Sequence, residues 1–527
     1  MSRSALAEAA IIAGAAPVLL VTIVSKVATW RLSTEPLSVV DTDGDVSPLQ
    51  FHPALLDAGD VDALFDAFGI GGAETRSMSL RFVLPDPDAG TLAESRWYAL
   101  AAAVVEVALI WPGQTYSDRV RIIGGGRVVS LRMGVLGQPT EITVDGAGAV
   151  AAASAVDASR DMGHAYDAAV LGFSDLAGRR FPLIVGRGYK LPVFKIGILY
   201  DAAVNAVILA GEWCPFMTAP TFYEDGSLQA ITVTMVDTLD PDDGHVRLAT
   251  VATGGEFEVA DGAYTASYPG GAVTASRNRG AAAVGAADVV EWCLTTAGVA
   301  VDWDATARAL ALLRDWDVYL YLDREADTLR VLRERVLPWM PLRERNSGRG
   351  IVLDFVDPTL APAEFDLTVG RELLDNAASV EMVDIDACRN SFSLSYALDY
   401  YDGVYDATAT LGATTDERCR YSQQIFGTAT STGVRTADPL SCNITSDATT
   451  AGKMLRWQSL RLALPRRLIG YDADPSLYWM REGMVGRVTD AARSLSSALA
   501  VVRTWRPAGR PWRATFEIID RPPVSRI

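Results

Sequence analysis

The sequence predicts a β-rich α+β protein with several domains, in which two tube-like β-sheet regions flank a smaller α/β middle. Short runs in which apolar and polar residues alternate dominate both ends of the chain. Between residues 276 and 350 the apolar spacing changes to that of helices. At 527 residues, the chain has room for roughly three or four domains. We expect an N-terminal β-rich tube-like domain over residues 1–150, a β-rich middle domain over 151–275, a small α/β insertion over 276–350 and a C-terminal β-rich tube-like domain over 351–527.

The first of these domains is predicted to be a curled sheet with one or two helices. Residues 77–84 (SMSLRFVL) alternate strictly, so their apolar side chains share one face of a strand. Gly124-Gly125-Gly126 is expected to break a long hairpin and act as a hinge. Helices are predicted over residues 58–68 and 92–102. Strands are predicted over residues 18–24, 28–33, 77–84, 104–111, 119–133 and 140–144.

An apolar run near the N-terminus, residues 9–24 (AAIIAGAAPVLLVTIV), has the composition of a signal peptide or a membrane anchor. It contains Gly14 and Pro17 and is shorter than the about 20 residues that a membrane span needs. Its second half is rich in β-branched residues, and residues 29–34 alternate directly after it. We therefore predict two paired strands joined at Ser25-Lys26, without stable membrane insertion.

The middle of the chain contains a block, residues 180–211, that is punctuated by proline and glycine and carries no obvious chemistry. Pro182, Pro192 and Gly186 separate short apolar runs that are typical of buried strands. The segment 222–236 (FYEDGSLQAITVTMV) predicts a hairpin with its turn at Asp225-Gly226. Residues 146–164 are small and low in complexity, which indicates a connector.

Helical spacing begins at residue 286. The sequence predicts helices over Ala286–Thr296 and over residues 304–314, with Gly298 as the C-terminal cap of the first. Residues 320–336 combine a strand-like start with a charged helix. After residue 351 the pattern is again that of strands, except for a helix predicted over 447–464 with Asp447 or Thr449 as its N-cap.

Composition restricts the possible functions. The chain has 47 Lys and Arg against 65 Asp and Glu, so its net charge is −18, which argues against a protein that grips nucleic acid through phosphates. Its 5 cysteines include no C-x-x-C pair, which argues against zinc ribbons and iron–sulfur sites and fits buried thiols in a reducing compartment.

The sequence suggests no catalytic, cofactor-binding or metal-binding residues. The Gly124–Gly126 loop lacks the Lys and Ser or Thr of a phosphate loop, and no hydrolase motif occurs. Cys214 with His164 or His245 would make a thiol–imidazole pair, but nothing in the sequence brings them together. The acidic turn at residues 237–243 has the wrong spacing for an EF-hand calcium loop.

One aromatic cluster has two interpretations. The segment SYALDYYDGVYD carries four tyrosines, which form either a sugar-stacking or interface strip or ordinary sheet packing. They are Tyr396, Tyr400, Tyr401 and Tyr405.

Taken together, several segments resemble the tail-tip, or baseplate, hub proteins of tailed bacteriophages of the siphophage type. The resemblance rests on loose spacing of strands and turns across most of the chain. The segments are VLLVTIVSKVATWRLSTEPLSV with FHPALL, AVVEVALIW with DRVRIIGGGRVVSLRMGVLGQPTEITV, RRFPLIVGRGYKLPVFKIG, GAADVVEWCLTTAGVAVDWDATARA, and LRWQSLRLALPRRLIGYD with YWMREGMVGRVTDAARSL.

The resemblance implies a non-enzymatic virion protein. Such hubs are homotrimers in which two tube-like domains per subunit form a ring with six-fold-like symmetry, which joins the hexameric tail tube to the three-fold tip and surrounds the DNA channel. The implied partners are the distal tail protein, the tail tube protein, the tape measure protein and central tip or fibre proteins, while DNA passes without specific binding. Assembly would take place in the cytoplasm of the bacterial host.

The sequence differs in two ways from hub proteins that carry additional domains or an iron–sulfur centre. Because the sequence ends at Ile527, we do not expect a fused peptidase or receptor-binding extension, and the sequence lacks the cysteine cluster of relatives that hold an iron–sulfur centre. Two alternatives stay open, namely a tail-associated cell-wall hydrolase and a tail protein that binds the host receptor. A nucleophile or metal triad would favour the first, and the tyrosines of residues 396–405 are the only hint of the second.

Overall fold

Two nearly closed, barrel-like β-sheets dominate the structure, which is β-rich as the alternating pattern predicts. The structure is a computed structural model. It describes residues 15–25, 29–41, 48–62, 77–83, 100, 103–132, 139–145, 183–192, 194–196, 205–210, 221–224, 227–229, 232–239, 245–252, 264–267, 285–322, 327–346, 350–428, 430–506 and 512–519.

The first barrel-like sheet has seven strands in the order β2-β1-β7-β8-β9-β6-β5, and a small hairpin, β3-β4, lies beside it. Val24 of β1 pairs with Thr29 of β2, which confirms the predicted strand pair in the N-terminal apolar segment. The backbone of His52 bonds to Arg31 and Ser33 of β2 at 2.9 and 2.8 Å, so the sheet almost closes between β2 and β5. The strands are β1 Val18–Val24, β2 Thr29–Ser33, β3 Leu37–Val39, β4 Leu49–Phe51, β5 Leu55–Asp62, β6 Ser77–Phe82, β7 Val104–Ile110, β8 Val120–Arg132 and β9 Thr140–Asp145.

The helix predicted over residues 58–68 is wrong, because residues 55–62 form strand β5. Two bulges interrupt the ladder between β5 and β6, so the paired apolar positions recur every third residue and imitate helical spacing. The pairs are Leu55 with Phe82, Ala58 with Leu80 and Val61 with Met78. Residues 63–68, and all of the helix predicted over 92–102 except Leu100, lie outside the described residues.

The three consecutive glycines do not break a hairpin, as the sequence suggested, because they lie inside the continuous strand β8. Val105 pairs with Gly126 and Glu106 pairs with Gly124, so Gly125 is the extra residue of a bulge. A bulge increases local twist, and glycine tolerates the altered backbone. The glycines therefore curl the sheet without ending the strand.

The middle of the chain forms short antiparallel sheets. Glu224 pairs with Ser227, so the predicted hairpin has a two-residue connection, but residues 232–239 join another sheet instead of continuing it. The first strand of the middle, β10, pairs far along the chain with β19. The strands are β10 Leu183–Val185, β11 Leu191–Pro192, β12 Phe194–Ile196, β13 Asn205–Ala210, β14 Thr221–Glu224, β15 Ser227–Gln229, β16 Thr232–Leu239, β17 His245–Ala252, β18 Tyr264–Ser267, β19 Leu320–Leu322, β20 Leu342–Asn346 and β21 Ile351–Phe355.

The described helices confirm four of the predictions, including the charged helix within residues 320–336, and add one that was missed. Gly298 has φ +62° directly after the first helix, as expected for a C-terminal cap, and Asp447 rather than Thr449 caps the last helix. The helix over 417–426 lies in a stretch that the sequence marks only as polar. The helices are α1 Ala286–Thr296, α2 Trp303–Ala311, α3 Thr328–Val331 with a π-turn over Leu332–Val336, α4 Glu417–Phe426 and α5 Ala448–Leu462.

The second barrel-like sheet has six strands in the order β22-β28-β29-β30-β27-β23, and a three-stranded sheet, β25-β24-β26, is inserted between its strands in sequence. Its inner face shares one hydrophobic core with the first barrel-like sheet, and the rings of Trp111 and Tyr478 meet edge to face at 4.9 Å. The strands are β22 Phe365–Thr368, β23 Leu373–Val383, β24 Phe392–Leu398, β25 Tyr405–Leu411, β26 Leu440–Ser441, β27 Arg466–Ala473, β28 Val485–Asp490, β29 Leu495–Arg506 and β30 Trp512–Ile519.

Helix α5 lies between two cores. Trp457 and Leu460 pack on the outer face of the second barrel-like sheet, against residues such as Val501. Ala451 and Leu455 belong instead to the core formed by β10, helices α1–α3, and residues 392–463. The domain boundaries stay a prediction, while the cores themselves join segments that are far apart in sequence. No helix in the described part of the chain is both long and apolar enough to cross a membrane.

Candidate functional site

A largely buried polar cluster joins the proline- and glycine-rich block to the tyrosine segment. Lys190, directly before β11, places its Nζ 2.6 Å from Asp399 Oδ2 and 2.7 Å from Asp406 Oδ2. The side chains of Lys190 and Asp399 are only 8% and 3% exposed. Tyr189 Oη donates a hydrogen bond to Asp406 at 2.7 Å. One ammonium group therefore holds both ends of the loop between β24 and β25.

The positions of these groups follow from the local backbone. Lys190 adopts φ +42°, a left-handed conformation that is uncommon outside glycine. Asp399 follows β24, where its backbone N–H bonds to Val404 O at 2.8 Å and its carboxylate accepts from the backbone N–H of Tyr401 at 3.0 Å. The ammonium group also lies 5.1 Å from the centre of the Tyr223 ring, a cation–π distance. This links β14 to the same cluster.

Electrostatics hold the cluster in its charged form. Burial opposes the charge of Lys190, but its hydrogen bonds to Asp399 and Asp406 outweigh burial and raise the pKa of the amine above its ordinary value. Burial also opposes ionisation of Asp406, yet the hydrogen bonds from Lys190 and Tyr189 lower the pKa of that carboxyl. For Tyr189, burial and the hydrogen bond to Asp406 raise the phenol pKa. The arrangement is an ion-pair clamp, since neither lysine nor tyrosine is poised to release a proton near neutral pH.

The tyrosine segment does not form one exposed strip. Tyr396 is buried, and the half-buried Tyr400 packs edge to face on Tyr321 at 5.4 Å between ring centres. Tyr401 is 44% exposed, whereas Tyr405 is half-buried. The described tyrosines therefore contribute mainly to packing, and Tyr401 alone among them presents a ring to solvent at the tip of the loop.

The thiols lie in environments that oppose ionisation. Cys293, Cys388, Cys419 and Cys442 are buried and not cross-linked. Burial raises the pKa of Cys419 and of Cys442 to about 12 each. A nucleophilic cysteine needs the opposite shift. Cys214 and His164 lie outside the described residues, so the thiol–imidazole pair considered from the sequence stays a hypothesis.

Other candidate features remain scattered. Among the described residues, no three His, Cys, Asp or Glu side chains are arranged to hold a metal ion. His52 is exposed beside β2, and His245 begins β17. From the acidic turn, Asp237 lies in β16, while residues 240–243 lie outside the described part. The prediction that the chain has no catalytic, cofactor or metal residues stays a prediction.

Long strands with one apolar face, such as those predicted over residues 77–84 and 104–111, are expected from the sequence to be exposed edges through which copies of the chain assemble. In the structure, the described parts of both are interior strands. Strand β6 pairs with β5 and β9, and β7 pairs with β1 and β8. Apolar residues of both strands, including Leu80 and Val107, are fully buried in the core. Strands β6 and β7 are therefore not available for pairing between subunits, which corrects the sequence-based argument for assembly.

An exposed edge does occur in the second barrel-like sheet. Strand β23 is a terminal strand of that sheet, and Val380 and Met382 near its end are 53% and 51% exposed. Sequence reasoning missed this edge because the alternation of β23 is interrupted by a bulge between Leu374 and Ser379. It also missed Lys190 and its two aspartates, since nothing in the local sequence distinguishes Lys190 from the nearby Arg187 and Lys195.

Comparison with known proteins gives no assignment. No protein-family model matches the chain, and no curated protein matches it.

Proposed function

We propose that this chain is a structural hub protein of a siphophage tail tip or baseplate. Three copies form a ring that joins the tail tube to the distal tip and surrounds the DNA channel. The observation that supports the proposal best is the presence of two nearly closed, barrel-like sheets in one chain. A three-fold assembly of such a chain carries six barrel-like sheets, which is the number needed to match a six-fold tube at a three-fold tip.

The shared core supports this arrangement. Because the inner faces of both sheets contribute to one core, the two sheets are held in a fixed relation within each subunit. A ring built from such subunits has rigid pairs of sheets as its repeating unit. In this proposal residues 276–350 form the smaller α/β domain between the tube-like domains.

The proposed setting is the virion. The hub is assembled in the bacterial cytoplasm and contacts the distal tail protein, tail tube protein, tape measure protein and central tip or fibre proteins. Its role is non-enzymatic, and DNA passes through without specific binding. With a net charge of −18, we expect the channel wall to be net negative, because a basic wall would hold phosphates.

The decisive experiment is a mass measurement of the purified full chain in solution, with negative-stain images of the same sample. We expect three times the chain mass of 56.4 kDa and a ring with three-fold symmetry and a central channel. A monomer at all accessible concentrations would contradict the proposal. A map of surface potential on the ring would test the channel, since a continuous basic lumen is incompatible with it.

The enzymatic alternative is tested separately. We expect background rates on peptidoglycan and on general esterase, peptidase and glycosidase substrates. Activity that disappears on substitution of one Cys, His, Asp or Glu would establish the hydrolase alternative instead.

A further inference from the structure

The second barrel-like sheet is open along one side. Strand β22 has 4 residues and β23 has 11, and the two meet only where Val369 bridges Leu373 and Gly370 N donates to Leu373 O at 2.7 Å. Beyond this corner, β23 pairs with β27 on one side, and no described strand pairs with its other side. We call the outer edge of β23 from Ser379 to Val383 the open seam.

Side chains at the open seam belong to the core face of the sheet. Val380 is paired directly with Ile469 of β27, and directly paired residues of an antiparallel ladder project to the same face. Ile469 is fully buried in the shared core, whereas Val380 is about half exposed. Met382 lies two residues further and therefore on the same face. These apolar side chains are exposed at a point where no described strand lies beside the barrel-like sheet.

Such an edge suits the addition of a strand. A terminal strand presents N–H and C=O groups along its outer edge, and an added strand satisfies them while its alternate side chains cover the apolar face. The occupant must therefore be an extended segment with apolar side chains at alternate positions. Strand addition here would complete the barrel-like sheet and bury Val380 and Met382.

Local charge favours a second copy of this acidic chain as the occupant. Arg466 and Arg467 lie opposite Val383 and Met382 on β27. Arg389 and Arg435 donate to backbone carbonyls of the following loop, at Asp386 and Ile385, with N–O distances of 3.0 and 2.9 Å. The nearby carboxylates belong to Glu381, Asp384 and Asp386, and Arg466 forms an ion pair with Asp384. The remaining three arginines outnumber the remaining two carboxylates. On a chain of net charge −18, a site with a positive excess is where a like-charged copy meets least repulsion.

We propose that an extended segment of a neighbouring copy fills the open seam as an added β-strand. This inference rests on the proposed ring and identifies one contact within it. The ring then has its subunits joined by backbone hydrogen bonds at β23, in addition to side-chain contacts.

The test combines mass measurement with amide hydrogen exchange on the full chain. We expect amides of residues 379–383 to become protected as protein concentration rises and the assembly forms. The double substitution Val380→Glu with Met382→Glu places charges on the apolar face of the seam, and we expect it to weaken self-association about tenfold or more. The matched control, Ile425→Glu with Val434→Glu, alters two side chains that are each 49% exposed outside β23, and it should assemble normally.

The outcomes separate this inference from the proposed function. A trimer whose residues 379–383 exchange freely, and which forms equally well from the double variant, overturns the seam contact and leaves the hub proposal intact. A wild-type monomer at every concentration overturns both. Protection that appears only after a different protein is added overturns the second copy as the occupant.

Discussion

At the scale of single residues, the buried lysine shows how an apolar block is fixed in place. Lys190 bridges two aspartates at the ends of the loop between β24 and β25, and Asp399 is almost completely buried. A buried ion pair contributes little net stability compared with an apolar pair, but the loss of one partner is costly. We therefore expect the cluster to specify which loop docks on this block rather than to add much stability.

Lys190→Met tests this role. The substitution keeps the length of the side chain but leaves Asp399 buried without its cation, so we expect the free energy of unfolding to fall by about 3–5 kcal/mol. The measurement is chemical denaturation near neutral pH. As a control, Arg330→Met breaks the exposed i,i+4 pair with Glu334, where both side chains are more than half exposed. It should change stability by less than about 1 kcal/mol. If both substitutions lowered the free energy of unfolding equally, the proposed role of the Lys190 ion pairs would be contradicted.

Asp490 gives a prediction of pH dependence. Its carboxylate accepts hydrogen bonds of 2.7 Å from both Tyr471 Oη and Arg493 Nη1. Burial opposes ionisation, but these bonds outweigh it and lower the pKa. A lowered folded-state pKa contributes stability that is present above the unfolded pKa of about 3.9 and is lost as the pH falls through the folded value.

We therefore expect Asp490→Asn to cost about 1.5–3 kcal/mol near neutral pH and progressively less below pH 4. Denaturation curves of both proteins between pH 7 and pH 2 would measure the difference. Asp366→Asn alters an exposed residue of β22 and is the control. Its difference in unfolding free energy from the wild type should not shrink in this way as the pH falls. A constant difference across the range would rule out the assigned role.

At the scale of elements, local patterns predict the ladders and helices well where alternation or capping is uninterrupted. Helix α1 has its predicted bounds, and β1 and β2 pair as expected. Two of the failures share one physical cause, because bulges shift the apolar period. They make β5 resemble a helix and conceal the exposed edge of β23. The clamp at Lys190 was not predictable because its partners lie more than 200 residues away, and no local pattern records such a contact.

The N-cap of α5 provides a test at this scale. Asp447 accepts a hydrogen bond from the backbone N–H of Thr450 at 2.7 Å. We expect Asp447→Ala to lower the free energy of unfolding by about 0.5–2 kcal/mol. Thr449→Ala, at the alternative cap suggested by the sequence, is exposed and should be close to neutral. Thermal denaturation of the two variants distinguishes the two cap residues. A larger loss of stability for Thr449→Ala would contradict the assignment of Asp447 as the N-cap.

At the scale of the whole molecule, the shared core couples two sheets that are far apart in the sequence. Trp111 comes from the first sheet, and Tyr478 comes from the connection between β27 and β28 of the second. Both are buried. Because one core includes both inner faces, a substitution that disrupts this contact should destabilise both sheets.

Trp111→Ala is expected to cost about 3–5 kcal/mol and to increase amide exchange in both sheets. Hydrogen exchange with peptide-level resolution would measure this. Val129→Ala, at a position in β8 that is 60% exposed, is the control and should leave both sheets protected. Faster exchange in residues 18–145 alone would show that the sheets are energetically independent.

The interleaving of distant segments has a consequence for protein synthesis. The strands of the first sheet are all translated by residue 145, but the aromatic residues that cover its core, such as Tyr478, are translated more than 300 residues later. Strand β10 likewise cannot pair until its partner β19, which lies far along the chain, has been translated. Translation proceeds at about 5–20 residues per second. These apolar surfaces therefore stay uncovered for tens of seconds during synthesis. We therefore expect the nascent chain to depend on chaperones until the last strands are made, and we expect the C-terminal segment to set the time at which the first sheet is protected from aggregation.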